Sequence, residues 1–280
     1  MDEKHTTLAT IDEQSKSKAD MEFTDETGVT HRLWIETDPD IIAKLVNDFA
    51  DRKLYIADGH HRYETALNYR NYCRENGISK PGDPQDFQMI YLVDMEHPGL
   101  VVFPTHRLVR DLPNFDKEAV LEKCSEFFYI DEKEGTDTME EDLKKLYDEG
   151  EKAFGFYCGK GEWFLLTLKD INVMSQMLPD VSKASQSLDV SVLHTLILEK
   201  IFGIDKENMA KQINLTYTKL FSETISGVDN GKFQCSFVLN PTRVTEIRDV
   251  AAAGEKMPQK STYFYPKMIT GMVMNNLGVD

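Results

Sequence analysis

Residues 54–66 read Leu54-Tyr55-Ile56-Ala57-Asp58-Gly59-His60-His61-Arg62-Tyr63-Glu64-Thr65-Ala66, an apolar run that turns abruptly polar. The run predicts a short buried strand. Beyond it Tyr63, Ala66, Leu67 and Cys73 recur at helical spacing, so a helix opens directly after the strand. The first-turn N–H groups of a helix have no partner inside it, and the macrodipole adds partial positive charge there. Gly59 lets a ligand come close to the backbone. With His60, His61 and Arg62 at the same spot, the turn predicts an anion pocket, most simply for phosphate. An exposed cation at a helix N-terminus opposes the dipole by about 0.3–1 kcal/mol, so three potential cations there call for an anion to hold. The plainer alternative is a turn whose His and Arg side chains cap helix ends. A metal pair at His60-His61 is disfavoured, because adjacent helix-start residues point in different directions. Asp58 suits a helix cap, a metal ligand or a group that positions a hydroxyl, and Glu64 suits a capping carboxylate.

Working outward, the chain has 280 residues, 41% hydrophobic and 10% aromatic, enough for two domains or one domain with an insertion. No stretch approaches a membrane span or a signal peptide, which predicts a cytoplasmic protein. Cys73, Cys124, Cys158 and Cys235 lack paired spacing and predict reduced, buried thiols. The net charge is −16 with no basic run, which argues against nucleic acid as a partner. A nucleotide would need local positive charge or a divalent metal to offset that field.

Residues 22–34 predict a hairpin strand, and Asp38-Pro39-Asp40 opens a helix to about Phe49. With the strand over 54–57 and the phosphate turn, a helix over 62–76 completes a βα unit; it stops at Gly77, before the loop Pro81-Gly82-Asp83-Pro84. Residues 87–95 and 100–103 predict two more strands. Amphipathic helices are expected over 116–128 and 139–147, flanking the polar stretch 131–137. A β-hairpin is expected from 153–158 and 163–168. Further elements are an apolar helix over 187–202, a strand over 233–239, a helix over 243–253 and a closing strand over 269–274.

Three further places offer chemistry. His106-Arg107 emerges after Pro104-Thr105 from a core strand and could bind a second phosphate or a carboxylate; the alternative is a surface loop paired with acids. His194, on the apolar helix, reads more simply as a satisfied core histidine. Lys260-Ser261-Thr262, between Pro258 and Tyr263-Phe264-Tyr265, offers an ammonium, hydroxyls and rings in one loop, suited to phosphate or base contacts or to a structural plug. No Walker-type loop, Gly-x-Gly-x-x-Gly or Gly-x-Ser-x-Gly occurs.

Residues 59–64 resemble the Gly-Cys-His-Arg-Tyr-Glu phosphate loop of sulfiredoxin, with His60 at the reactive Cys position. They are also similar to the Gly-Glu-Arg-Arg nucleotide loop of ParB-type partition proteins. Four segments in order, Asp-Gly-His-His-Arg at 58–62, Pro-Thr-His-Arg at 104–107, Leu-Asp-Val-Ser-Val-Leu-His at 188–194 and the Met-Pro-x-Lys-Ser-Thr-Tyr-Phe-Tyr-Pro-Lys run at 257–267, are the marks of a family. On them the chain is identified as a member of the domain-of-unknown-function family numbered ten-fifteen. That family is itself similar to an archaeal kinase that phosphorylates free serine with ADP.

The resemblance implies a mixed α/β (α+β) fold. A ParB/sulfiredoxin-like nucleotide domain would cover 1–110, an inserted α/β subdomain 111–185, and a C-terminal segment 186–280 that adds to the core and the site. It implies a nucleotide-dependent phosphotransferase acting on a small hydroxyl-bearing metabolite such as free serine. Asp58 and His60 would be catalytic, with Mg²⁺ on Asp58 and ADP or ATP as donor. Gly59, His61, Arg62, His106, Arg107, Lys260, Ser261 and Thr262 would hold phosphate or nucleotide. A nucleotide-sensing module without turnover is the alternative. Sulfiredoxin-like redox repair is set aside, because His60 replaces the nucleophilic Cys. One departure stands out: family members carry a long region before the Asp-Gly-His-His-Arg segment, whereas this chain offers only a polar opening over 1–20 and a short stretch. Either it is a shortened member or its N-terminal third is missing from this sequence, and any catalytic group supplied by that region would be absent here.

Overall fold

A computed structural model describes residues 6–135, 138–267, 269 and 271–275, and the architecture is mixed α/β. It divides into two units, the first running up to Pro98 and the second over Gly99–Met274.

The first unit opens with α1 (Thr6–Gln14), then the antiparallel hairpin of β1 (Met21–Thr24) and β2 (Thr30–Leu33), in which Met21 faces Leu33 and Thr24 faces Thr30. The Asp25 carboxylate closes the turn by accepting the N–H groups of Thr27 and Val29. Next comes α2 (Pro39–Phe49), which begins where the sequence says it should: Asp38 accepts from the N–H groups of Asp40 and Ile41, and Pro39 contributes a preset φ. The Asp48 carboxylate takes the hydroxyls of Thr6 and Thr7, tying α1 to α2. Last is α3 (His60–Glu75), stopped by Gly77 at φ 69°.

The strands expected over 54–57 and 87–95 do not form. Neither run is a strand, because no described segment pairs with it and a strand exists only where a neighbour takes its N–H and C=O groups. Neither is buried: Leu54 is 53% exposed, Phe87 65% and Tyr91 61%. Up to Pro98, Cys73 is the only hydrophobic side chain that is buried among the described residues.

In the second unit the chemistry is the reverse. Here lie β3 (Val101–Phe103), β4 (His106–Val109), α4 (Lys117–Cys124), β5 (Phe128–Glu134), α5 (Met139–Glu149), β6 (Ala153–Tyr157), β7 (Glu162–Leu168), β8 (Leu215–Thr218), β9 (Cys235–Val238) and β10 (Tyr263–Tyr265). Six of these strands form one antiparallel sheet in the order β5-β7-β6-β9-β4-β8, and β3 pairs with β10. Alternation along the strands loads both faces with apolar groups, so the sheet has a core on each side. One face gathers Val109, Phe154, Phe156, Leu166 and Phe237 beneath Val192, Leu196 and Ile197. The other gathers Leu108, Tyr157, Trp163, Leu165 and Val238 against Met139 and Leu143 of α5. Gly155 is required by that packing, since a Cβ there would stand 2.9 Å from the Met139 sulfur.

The expected hairpin is β6–β7, and the apolar helix runs as Asp189–Val192 continued by a π-helical segment, Leu193–Glu199. Three expectations are corrected. The helix over 116–128 ends at Cys124, and the polar stretch beyond it is β5 as far as Glu134, an edge strand whose outward residues face water; Thr136 and Asp137 of that stretch lie outside the described residues. His106-Arg107 is not a loop but the start of β4, held between β8 and β9. The closing strand over 269–274 is absent among the described residues, which form turns and bends there; Thr270 lies outside them. No helix among the described residues is long and apolar enough to cross a membrane.

Candidate functional site

In the first unit the geometry at Asp58–Arg62 follows from Gly59. It is the residue before α3 and sits in the left-handed region at φ 89° and ψ 25°, where it carries no side-chain cap. A Cβ at that position would also lie 2.9 Å from Arg62 Nε, so the Arg62 side chain folds back across the glycine. The first α3 residue whose N–H is bonded to the turn is Tyr63, to Gly59 O at 3.0 Å. The N–H groups of His60, His61 and Arg62 precede it, with no helical carbonyl to reach.

Charge at the turn is partly balanced from within. Asp58 Oδ1 accepts the Gly59 N–H at 2.9 Å, and Asp58 Oδ2 lies 3.6 Å from Arg62 Nη2. The Glu64 carboxylate lies 3.5 Å from His61 Nδ1. The His61 side chain is fully exposed and that of Arg62 is 78% exposed. The Arg62 guanidinium, the His61 imidazole and the start of α3 are thus open to solvent, and none of them is held by a buried contact. An arriving anion would compete with the Arg62–Asp58 contact at 3.6 Å and the His61–Glu64 contact at 3.5 Å. Among the described residues no three His, Cys, Asp or Glu groups gather to hold a metal ion. A Mg²⁺ ion here would be carried mainly by nucleotide phosphates, with Asp58 as its protein ligand, which is how Mg²⁺ is ordinarily bound.

The other expected site residues all belong to the second unit. His106 and Arg107 are buried in β4, at 3% and 0% exposure. His106 Nδ1 accepts the Leu239 N–H at 3.4 Å, and burial beside Arg107 pulls its pKa down to about 4. Arg107 donates from Nη2 to His194 Nε2 at 3.0 Å and to Lys260 O at 3.2 Å, and from Nη1 to Thr105 O. Its plane lies over Tyr217, 5.2 Å from the ring centre, and burial lowers its pKa to about 10, still well above neutrality. His194, expected as a satisfied core histidine, is the acceptor in this cluster; burial and the neighbouring Arg107 hold its pKa well below the ordinary value. Lys260 adopts a left-handed φ of 55°, and Ser261 is buried, its hydroxyl donating to Pro258 O while its carbonyl accepts from Thr242. Thr262 is half-buried beside them.

Two features were not visible in the sequence. Lys152 joins Asp189 at 2.8 Å and Glu246 at 3.3 Å, a largely buried ion cluster whose members are spread over ninety-odd positions (|i−j| 94 for Lys152 and Glu246). Lys219 stands over Tyr263, 4.8 Å from its centre, and 6.0 Å from that of Phe103. Neither has a local signature. Burial pushes the Cys124 and Cys158 thiols up to about 12 and Cys235 well above its ordinary value, so these three are not nucleophiles near neutrality.

A family model described as a protein of unknown function, DUF1015, matches residues 1–191. None of the curated proteins matches. Among solved structures, a conserved hypothetical protein from Pyrococcus furiosus is similar at 17% identity and a TM-score of 0.39, over 75% of this chain and 68% of that one. A free serine kinase in complex with AMP is similar at 14% identity and a TM-score of 0.41, over 82% of this chain and 81% of that one. A mutant free serine kinase in complex with ADP is similar at 16% identity and a TM-score of 0.39, over 75% of this chain and 66% of that one.

Proposed function

This chain belongs to the DUF1015 family, and from that premise we propose that it is a nucleotide-dependent phosphotransferase with a ParB/sulfiredoxin-like phosphate loop at residues 58–62. The observation that carries the proposal is the turn at Gly59. There the left-handed glycine and the first-turn N–H groups of α3 lie beside the Arg62 guanidinium, with the exposed imidazole of His61 on the neighbouring residue. Phosphoryl transfer asks the protein for alignment and charge neutralisation more than for covalent chemistry. Gly59 and the His60, His61 and Arg62 amides would hold the transferred phosphoryl oxygens, with Arg62 and His61 neutralising their charge. Asp58, already beside Arg62, would turn to the acceptor hydroxyl or to a Mg²⁺ ion when phosphate takes its place on the guanidinium. His60 stands at the head of the helix, where it can meet either substrate.

Free serine is the first acceptor to test, because the Asp-Gly-His-His-Arg segment resembles that of the ADP-dependent free-serine kinase. One observation favours the second reading, a nucleotide sensor without turnover: His61 and Arg62 are largely open to water, and phosphoryl transfer generally proceeds in sites that exclude it. Phosphorus NMR of the protein with ADP, ATP or CTP and Mg²⁺, with and without serine, separates the two. The transferase reading expects a serine-dependent phosphomonoester signal. A bound nucleotide with no product over many hours would leave the sensor reading standing in its stead.

A further inference from the structure

Three stretches that are far apart in the sequence meet in the second unit at Arg107. Through one guanidinium, Thr105 at the head of β4 is joined to His194, 87 residues from Arg107, and to Lys260, 153 residues from it. His194 lies in the π-helical segment Leu193–Glu199, a rare geometry that is frequent at functional sites.

The hub is short of negative charge. Every acceptor that Arg107 finds is neutral: two carbonyls and an imidazole nitrogen. Among the described residues no carboxylate is within ion-pair distance of Arg107, Lys219 or Lys260. In the helix Phe221–Asp229 that follows β8, the Glu223 carboxylate accepts the Thr218 hydroxyl. A buried cation without a counter-charge costs several kcal/mol. Two donors here also lack any acceptor: Arg107 Nε–H and the Tyr217 hydroxyl are buried and unbonded, on side chains stacked against each other. Buried polar groups are almost always paired, so two adjacent orphaned donors mark the place of an absent acceptor. Lys219 brings a second positive charge to the same end of the sheet, because the preceding Thr218 pairs with His106. In a chain of net charge −16 these are not part of a generally basic surface.

We infer that the second unit carries an anion site built from its own residues, in which Arg107, Tyr217 and Lys219 receive a phosphate group. Two uncompensated cations match the charge of roughly −2 that a phosphate carries at neutral pH, and its oxygens supply the acceptors that Arg107 Nε and Tyr217 lack. The phosphate is either the free ion or the phosphoryl end of a metabolite.

Calorimetric titration of the full chain, first exchanged into phosphate-free buffer, tests this with inorganic phosphate and with glycerol 3-phosphate as probes. The His61→Ala/Arg62→Ala double variant is expected to keep one phosphate site, and Lys219→Ala to weaken it at least tenfold. Lys219 is exposed, so that variant should melt at the wild-type temperature in the absence of phosphate. Arg107→Lys retains a charge but not the guanidinium fork, and should weaken the site as well. Glycerol phosphate binding within tenfold of phosphate assigns the site to a metabolite; phosphate binding alone assigns it to the free ion. The inference is overturned if neither probe binds the double variant, or if Lys219→Ala binds phosphate as the wild type does.

Discussion

Arg107→Ala is expected to destabilise the second unit by about 3–5 kcal/mol, the range for truncating a large core side chain. Arg107 is fully buried, so the truncation leaves a cavity between β4 and Tyr217. It also strands the Thr105 and Lys260 carbonyls and His194 Nε2, and each acceptor left buried and unpaired adds to the cost. Losing the Lys260 contact should release the residues 257–267 from the sheet before the rest unfolds. Urea titration followed by tryptophan fluorescence reads this directly, because Trp163 is in the same unit. A loss below about 1 kcal/mol, the level of an ordinary surface change, would show that the hub does not hold the unit together.

Acid is expected to weaken the fold well before the carboxylates titrate. His106 is buried and His194 half-buried, both lie against Arg107, and desolvation and that charge depress both pKa values. His194 Nε2 accepts a hydrogen bond from Arg107, so protonating it would remove the acceptor and set two cations 3.0 Å apart. Their folded pKa values are thus depressed, that of His106 to about 4, while the unfolded value is near 6.5. A depressed histidine contributes stability that is complete above the unfolded pKa and is lost as pH falls through the folded one. The unfolding free energy should therefore drop between about pH 6.5 and 4, by about 3 kcal/mol for His106 alone. Asp189, whose pKa burial raises, works in the opposite direction and tempers the slope. Urea midpoints measured from pH 7.5 to 4 should show uptake of more than one proton on unfolding, reduced in His194→Gln. A flat profile over that range would mean that both imidazoles are solvated.

How far the sequence announced this structure depended on where each element finds its partner. The helix α2 needed nothing beyond Asp38, Pro39 and its own periodicity, and β6–β7 needed only apolar runs around Gly159 and Gly161. The runs at 54–57 and 87–95 look like strands by the same local standard, yet pairing is a property of two segments, and no described segment pairs with them. The opposite error hid β5, β8 and β10: Leu215-Thr216-Tyr217-Thr218 is short and half polar, and becomes a strand because β4 lies beside it. At the site, Gly59 and the charges after it were legible, since a helix start is a local event. The Arg107 cluster was not, because its contacts span 87 and 153 residues and only the folded sheet brings them together.

The central claim is that the Gly59–Arg62 turn binds the phosphates of a nucleotide, and calorimetric titration of ADP with Mg²⁺ into wild type, His61→Ala and Arg62→Ala tests it most directly. Each exposed side chain supplies a charge-assisted hydrogen bond at about 1.5–3 kcal/mol, so each variant should bind roughly ten- to a hundredfold more weakly. Their melting temperatures should stay at the wild-type value, because neither side chain is packed. Affinity unchanged in both variants, or wild-type protein that does not bind ADP at all, would contradict the account.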